Sequence, residues 1–381
     1  MIRQAVIAED LTGAADTGIQ FGRFGNQTLL VPHKELAGIN PGSIKGVLAV
    51  TTESRNLSPA AAGERVRQTG MAVGRLGPQM AFKKIDSCMR GNIGAEVAAL
   101  ADAFGCRGAL IAPAFPAQGR ITLHDVHYVH NIPVADSEMA RDPVSPVRVS
   151  RLSALIALQY RQPVGRIDAV DLDGDPWRLK TLVEDLLKQG RRLIVCDAEH
   201  QRHLEVVARL ANDQFPQLLL AGSAGLAQAL VRCQFKETEA RPVSMDAVGE
   251  HLLFVCGSGS DVLRSQVEAL TRETGIPRHI MVPGRSASPS DRSDAIAKDL
   301  ASGAVVLQLA PAESLVYDND ASRQLAAETG AIVRHLRPDG LFVSGGDTAS
   351  AVLGAIEASG VRLQIEILPG VIRGTVMGGA D

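Results

Sequence analysis

Short apolar runs alternate with helix-period stretches along most of the chain. Residues 4–8, 46–51, 80–84 and 108–112 are apolar runs, and 16–23, 59–75 and 93–104 are the helical stretches between them. That alternation predicts βαβ units, hence a mostly parallel sheet with helices on both faces. From Pro113 to Pro146 the period lapses into a stretch rich in Pro, His and Asp, which predicts a long excursion over a ligand crevice. Helices at 149–159 and 176–189, a strand at 192–196, a helix at 201–211 and a strand at 217–221 follow. Gly222-Ser223-Ala224-Gly225-Leu226 then opens a helix that runs to about Arg232.

The polar stretch 236–250, with its charges, Pro242 and no apolar period, separates this block from a second. There the pattern predicts strands at 251–256, 279–282, 304–309 and 340–343, and helices at 261–274, 291–301, 322–336 and 347–359. The fold class is therefore α/β: two α/β domains with mostly parallel sheets covered by helices and a cleft between them. The domains run 1–235 and 251–381, with 236–250 as linker. A length of 381 residues agrees, since single cores stop growing near about 250–300 residues.

Composition narrows the partners. A net charge of −3 gives no general attraction for nucleic acid or an anionic membrane, and 3% aromatic residues with Trp177 as the single tryptophan supply few stacking platforms. No apolar stretch reaches the roughly 18 residues of a membrane span, and the chain opens as a strand with no leader pattern. Cysteines 88, 106, 196, 233 and 256 are odd in number and form no C-x-x-C pair, arguing against a disulfide framework or structural zinc. The expectation is a cytoplasmic, soluble protein acting on small molecules, compatible with a homodimer.

Candidate chemistry lies where predicted strands turn into helices. In Lys83-Lys84-Ile85-Asp86-Ser87-Cys88-Met89-Arg90-Gly91-Asn92, two lysines and an arginine suit an anionic substrate, and Asp86 is placed to orient one of them or bind a hydroxyl. The plainer alternative is a solvated loop in which Asp86 or Ser87 caps a turn. Cys88 stands beside Arg90, yet nothing marks it as a nucleophile. Glu9-Asp10-Leu11-Thr12-Gly13 follows the first strand, and Asp10 could bind or deprotonate a hydroxyl, or help hold a metal. The alternative there is capping by Thr12 or Asp16 with solvated acids. Arg55, in Thr52-Glu53-Ser54-Arg55-Asn56, offers a fork for a carboxylate or phosphate, or else pairs with Glu53 at the surface.

Two glycine turns mark the second block, Cys256-Gly257-Ser258-Gly259-Ser260 and Ser344-Gly345-Gly346-Asp347-Thr348-Ala349. Both put backbone N–H groups and hydroxyls at helix starts, as nucleotide phosphates require, and Asp347 could meet phosphate-bound Mg²⁺. No G-x-G-x-x-G, Walker or protein-kinase signature occurs, so a nicotinamide-dependent dehydrogenase finds no support and phosphoryl transfer would use another scaffold. The spacing of His124, His127 and His130 invites a metal reading, but hydrogen bonding within the irregular stretch accounts for them better.

Taken together these segments resemble the four-carbon acid sugar kinase family. The match is carried by Ala8-Glu9-Asp10-Leu11-Thr12-Gly13-Ala14, Lys83-Lys84-Ile85-Asp86-Ser87, Arg90-Gly91-Asn92-Ile93-Gly94, Ala114-Phe115-Pro116, Gly119-Arg120, Gly222 to Leu226, Gly257-Ser258 and Ser344 to Ala349, in the family's order. The resemblance implies an N-terminal acid-sugar domain and a C-terminal nucleotide domain. It also implies ATP with Mg²⁺ as cofactors, and phosphorylation of the terminal 4-hydroxyl of D-threonate or D-erythronate. By the same carry-over, Asp10, Arg55, Lys83, Lys84, Asp86, Ser87 and Arg90 surround the acid, with Asp10 orienting or deprotonating the hydroxyl. Ser258, Gly345, Gly346, Asp347 and Thr348 contact the nucleotide, and no protein-only metal site is expected. A 3-oxo-tetronate kinase and a non-catalytic sugar-acid or nucleotide sensor are the alternatives. The family pattern has threonine where Cys88 stands. It also continues past the equivalents of Gly378-Gly379 into a Lys-x-Gly-Gly-Phe-Gly segment, which this sequence, ending at Asp381, does not show.

Overall fold

A computed structural model describes residues 1–22, 27–40, 42, 44–234, 249–257, 260–282, 289–310 and 319–379. The strands are β1 (Ile2–Ala8), β2 (Gln27–Pro32), β3 (Gly46–Thr51), β4 (Met80–Lys84), β5 (Gly108–Ala112), β6 (Arg120–Leu123), β7 (Val126–Val129), β8 (Ile132–Pro133), β9 (Gly165–Ile167), β10 (Leu193–Cys196) and β11 (Leu218–Gly222). They continue as β12 (Leu252–Cys256), β13 (Arg278–Met281), β14 (Val305–Leu309), β15 (Gly340–Ser344), β16 (Ala358–Leu368) and β17 (Val371–Gly378).

The large sheet has the order β17-β16-β2-β3-β1-β4-β11-β5-β10-β9. Every pairing from β2 to β9 is parallel, and β16 joins β2 antiparallel. Because helices cover both faces, strands such as Gly46–Thr51 are buried at every position and read as continuous apolar runs rather than alternating ones. Ala5 and Ile7 of β1 enter one core with Val66, Val73, Val97 and Leu100 from the helices Pro59–Arg75 and Ile93–Ala103. The helices Leu11–Gly22, Gln201–Arg209 and Ala224–Gln234 pack as a second group.

The second sheet, β13-β14-β12-β15, is wholly parallel and has its own core of Leu253, Val255, Ile296, Leu300, Val305, Leu307, Leu325 and Val352. Compact units follow accordingly, but not with one boundary. The first comprises 1–242 and 361–375, the second 243–360 and 376–381. Residues 361–375, read from sequence as part of the second domain, return to pair with β2, Val361 opposite Leu30. The helix expected over 347–359 stops at Ala355, where Glu357 takes a left-handed φ of 57° and turns the chain into β16. The expected linker lies outside the described residues except for Gly249 and Glu250.

The stretch 113–146 is not the irregular excursion its composition predicts. It holds the antiparallel sheet β6-β7-β8, closed by two-residue turns at His124-Asp125 (φ 51° and 68°) and His130-Asn131 (φ 50° and 65°). Positive φ at both central positions is the type I′ geometry that matches strand twist. Asp197 fixes the first turn, its carboxylate accepting from the N–H of His124 at 2.7 Å and of Asp125 at 3.0 Å. Among the described residues no helix is long and apolar enough to cross a membrane.

Candidate active site

Strand order places the site. The chain leaves β1 for β2 and β3 on one side, then crosses to β4 on the other, so the loops after β3, β1 and β4 diverge around one crevice. Registers put Ala8 level with both Thr51 and Lys84. Glu9 and Asp10, Arg55, and the 85–92 turn therefore meet at the carboxyl edge of three adjacent strands.

Arg55 is the hub of that meeting. Its Nη2 lies 2.9 Å from Glu9 Oε1, 2.9 Å from Asp10 Oδ2 and 3.6 Å from Asp86 Oδ1, while Nε also donates to Glu9 Oε1 at 3.2 Å. Neither a solvated arginine nor a Glu53 partner describes it. Asn92 holds the Arg55 loop in place, its Nδ2 donating to the carbonyls of Ser54, Arg55 and Leu57. Asp86 is gripped by Arg90 through Nε at 2.9 Å and Nη2 at 3.1 Å, and Arg90 Nη1 reaches Asp142 at 3.2 Å. Burial pushes the Asp86 carboxyl up, but the charge and hydrogen bonds of Arg90, then the charges of Arg55 and Lys84, hold it well below the usual carboxylate range. Asp10 itself caps the helix Leu11–Gly22, accepting the Gly13 N–H on Oδ1 at 2.9 Å, where sequence offered Thr12 or Asp16.

The two adjacent lysines do different work because successive strand residues face opposite sides of a sheet. Lys83 is 0% exposed and pairs at 2.8 Å with Glu96, itself buried and receiving the Ser54 hydroxyl at 2.8 Å. It is enclosed beneath the loops rather than presented to a ligand. Lys84 is only 5% exposed, yet among the described residues its ammonium has neither a hydrogen bond nor an ion pair. It lies beside the first turn of the helix Leu11–Gly22: a Cβ added at Gly13 would meet Asp10 Oδ1 at 2.5 Å and Lys84 Nζ at 2.8 Å. Of the four cations predicted for the acid, Arg55, Lys83 and Arg90 are each paired with carboxylates and Lys84 is not.

Glu9 is the site residue that sequence reasoning left without a role. Its side chain is 0% exposed and one oxygen, Oε2, has no hydrogen-bond partner among the described residues. Burial pushes its carboxyl up to about 7, against the pull of Arg55, with Glu96 and Asp86 adding to the rise. The folded value lies above the ordinary 4.5, so between those values the native state holds a proton that the unfolded chain lacks, and stability falls as pH rises through the window. The thermal midpoint is expected to drop by a few degrees between pH 5.5 and 8, and Glu9→Gln to flatten that slope. A wild-type slope of the opposite sign in differential scanning calorimetry would exclude this.

Ser87 presents its carbonyl to His127 Nε2 at 2.8 Å, while His127 Nδ1 meets the Thr122 hydroxyl at 2.9 Å. Burial pushes the imidazole down to about 4, so it is neutral and donates to Ser87. His127 thus ties the β6-β7-β8 sheet to the central turn, whereas His124 and His130 occupy turn positions. Among the described residues no cluster of three His, Cys, Asp or Glu side chains is arranged to hold a metal. Ser223, from the third glycine segment, is a clasp: its hydroxyl donates to the Ala114 carbonyl at 2.6 Å.

In the second unit β12 and β15 are neighbours, with Cys256 level with Ser344, so both glycine turns leave the same sheet edge side by side. A Cβ at Gly257 would lie 2.3 Å from Thr348 Oγ1, so the absence of a side chain is what lets the turns approach. Gly345 caps the helix Gly346–Ala355 at φ 97°, a left-handed conformation suited to glycine. Thr348 is buried and Asp347 is exposed in the helix's first turn. Ser258 lies outside the described residues.

Comparison with known proteins fits both units. Residues 4–230 match the family model of a sugar-binding N-terminal domain, and 253–381 that of a nucleotide-binding C-terminal domain. The chain is 32% identical to D-threonate kinase of Salmonella typhimurium, over 98% of this chain and 91% of that one. It is 29% identical to D-erythronate kinase of Heliobacterium modesticaldum, over 100% and 91%. Identity to the 3-oxo-tetronate kinase of Salmonella typhimurium is 27%, over 97% of this chain and 92% of that one. Among solved structures, a Salmonella typhimurium protein described as a tRNA synthase superposes with a TM-score of 0.81 at 25% identity, over 99% of this chain and 93% of that one. A Bordetella bronchiseptica domain of unknown function, a domain-swapped dimer with bound citrate, does so with a TM-score of 0.54 at 28% identity, over 99% and 92%. The chain belongs to the four-carbon acid sugar kinase family.

Proposed function

We propose that this protein is an ATP-dependent kinase that phosphorylates the terminal hydroxyl of a four-carbon sugar acid, D-threonate or D-erythronate. The observation that carries the reading is Lys84: a nearly buried lysine whose ammonium has no hydrogen bond or ion pair among the described residues, at the carboxyl edge of a parallel sheet, is a place kept for an anion. The higher identity to D-threonate and D-erythronate kinases than to a 3-oxo-tetronate kinase favours the first two substrates.

In this reading Lys84 meets the acid's carboxylate. Asp10, fixed by the Gly13 N–H and by Arg55, orients the accepting hydroxyl. Phosphoryl transfer proceeds through a loose transition state that asks more for alignment than for a strong base, so a carboxylate held rigidly at both oxygens suits the task. The N–H groups at Gly345 and Gly346 would receive phosphate oxygens of the nucleotide, with the Thr348 hydroxyl beside them. Mg²⁺ fits a site with one carboxylate, Asp347, because it commonly binds through one or two carboxylates plus substrate phosphates. When bound it would neutralise charge on the β- and γ-phosphates. The γ-phosphoryl passes to the hydroxyl oxygen, ADP leaves, and the hydroxyl proton departs by way of Asp10.

The test is ADP release and product formation with ATP, Mg²⁺ and a panel of D- and L-tetronates and 3-oxo-tetronates. Turnover is expected with D-threonate or D-erythronate. Turnover with none of the panel overturns the reading.

A further inference from the structure

Arg120 opens β6 immediately after Gly119, and its backbone is fixed by paired hydrogen bonds with Phe115, N–H to carbonyl in both directions. Gly119 has a φ of 70°, and a Cβ there would strike the His130 ring at 2.5 Å, so the approach to Arg120 tolerates no side chain. One end of the guanidinium is used: Nη1 donates to the Gln118 carbonyl at 2.6 Å and to Gln118 Oε1 at 3.1 Å. The guanidinium also contacts the Cys88 thiol, a weak acceptor. Among the described residues Nε is buried with no hydrogen-bond partner, and neither Nε nor Nη2 meets a carboxylate.

The guanidinium belongs to the candidate site. The guanidinium lies against the Cys88 thiol, and its charge is felt by His127, whose ring is bonded to Ser87. Arg120 therefore faces the 86–88 turn that directly follows Lys84. A buried donor left unpaired costs free energy, and the Nε/Nη2 edge of a guanidinium matches the two oxygens of a planar carboxylate. A thiol is a weak acceptor and does not satisfy it.

We infer that Arg120 is a substrate-anchoring residue that takes the sugar acid's carboxylate through its Nε/Nη2 edge, and so sets the preference for an acid over a neutral polyol. The inference rests on the kinase reading for its substrate class. Lys84 supplies a point charge to the same anion, whereas Arg120 fixes the plane of the carboxylate and hence which way the chain of hydroxyls runs.

Steady-state kinetics of Arg120→Gln and Arg120→Lys, with D-threonate, D-erythronate, the matching tetritols and ATP, test this. Arg120→Gln is expected to raise KM for the tetronate by about tenfold or more, leave KM for ATP within about twofold, and shrink the preference for acid over tetritol by a similar factor. Arg120→Lys keeps the charge without the fork, so a rise in tetronate KM is expected there too, and it serves where the glutamine variant folds poorly. An unchanged tetronate KM in both variants, or equal losses with acid and tetritol, overturns the assignment. Calorimetric titration of D-threonate and D-erythronate without nucleotide separates the two ideas. A tetronate bound by wild type and lost in Arg120→Gln supports the anchor even without turnover, and no tetronate binding by wild type overturns both.

Discussion

Lys84→Met is expected to leave the protein folded and to lower kcat/KM for the tetronate by roughly a hundredfold or more, the loss typical of removing one partner from a desolvated charge pair. The two halves of that expectation have one cause. Lys84 is nearly buried, and among the described residues no side chain or carbonyl satisfies its ammonium. In the free protein the burial of the charge is a cost, offset in part by its field on Asp86, and methionine fills a similar volume without either term, so the thermal midpoint should hold. A direct partner for the charge comes when an anion arrives. Part of the loss should fall on kcat, because binding energy from a non-reacting carboxylate helps align the hydroxyl at the other end of the acid. Wild-type kcat/KM in Lys84→Met would end its role as the anion's partner. A lowered midpoint together with lost activity would make it a structural lysine like Lys83.

The contrast between these two lysines was available in the sequence. Strands β1, β3 and β4 are legible because parallel strands covered on both faces become unbroken apolar runs. Alternation along β4 then requires Lys83 and Lys84 to face opposite sides. What it does not say is which side is open, since that depends on Glu96, a residue of the next helix whose carboxylate occupies the Lys83 side. Arg55 was harder still: its partners Glu9, Asp10 and Asp86 lie some thirty to forty-six positions away, and only the strand order unites them. The β6-β7-β8 sheet escaped because its type I′ turns are built from His-Asp and His-Asn in place of the glycine pairs that advertise a hairpin. Likewise Glu357 adopts φ 57° with no glycine to mark the end of its helix, which hid the return of β16 to the first sheet. The glycine turns of the second unit were legible as phosphate-type turns. That Gly257 exists to admit Thr348 needed the pairing of β12 with β15.

Arg55→Met is expected to act the other way, on stability first. Glu9, Asp10 and Asp86 converge on one guanidinium that is 16% exposed, and without it three carboxylates share a poorly solvated space. Removing one member of a buried ionic group typically costs about 3–5 kcal/mol, which for a unit of this size lowers the thermal midpoint by roughly 6–20 °C. Burial and the neighbouring acids already push Glu9 up to about 7, and Arg55 is what opposes that rise, so its removal carries Glu9 higher. The unfolded reference does not move, so the pH range over which protonation favours the native state widens upward, and the deficit of Arg55→Met should be smaller at pH 5.5 than at pH 8. Arg55→Lys restores one charge but cannot reach Glu9, Asp10 and Asp86 together, so it should recover only part of the midpoint. Activity should fall in both variants because Asp10 loses the bond that fixes its second oxygen. Equal deficits at the two pH values in scanning calorimetry would show that Arg55 does not govern the proton on Glu9, and would remove the hub on which the arrangement of the three loops depends.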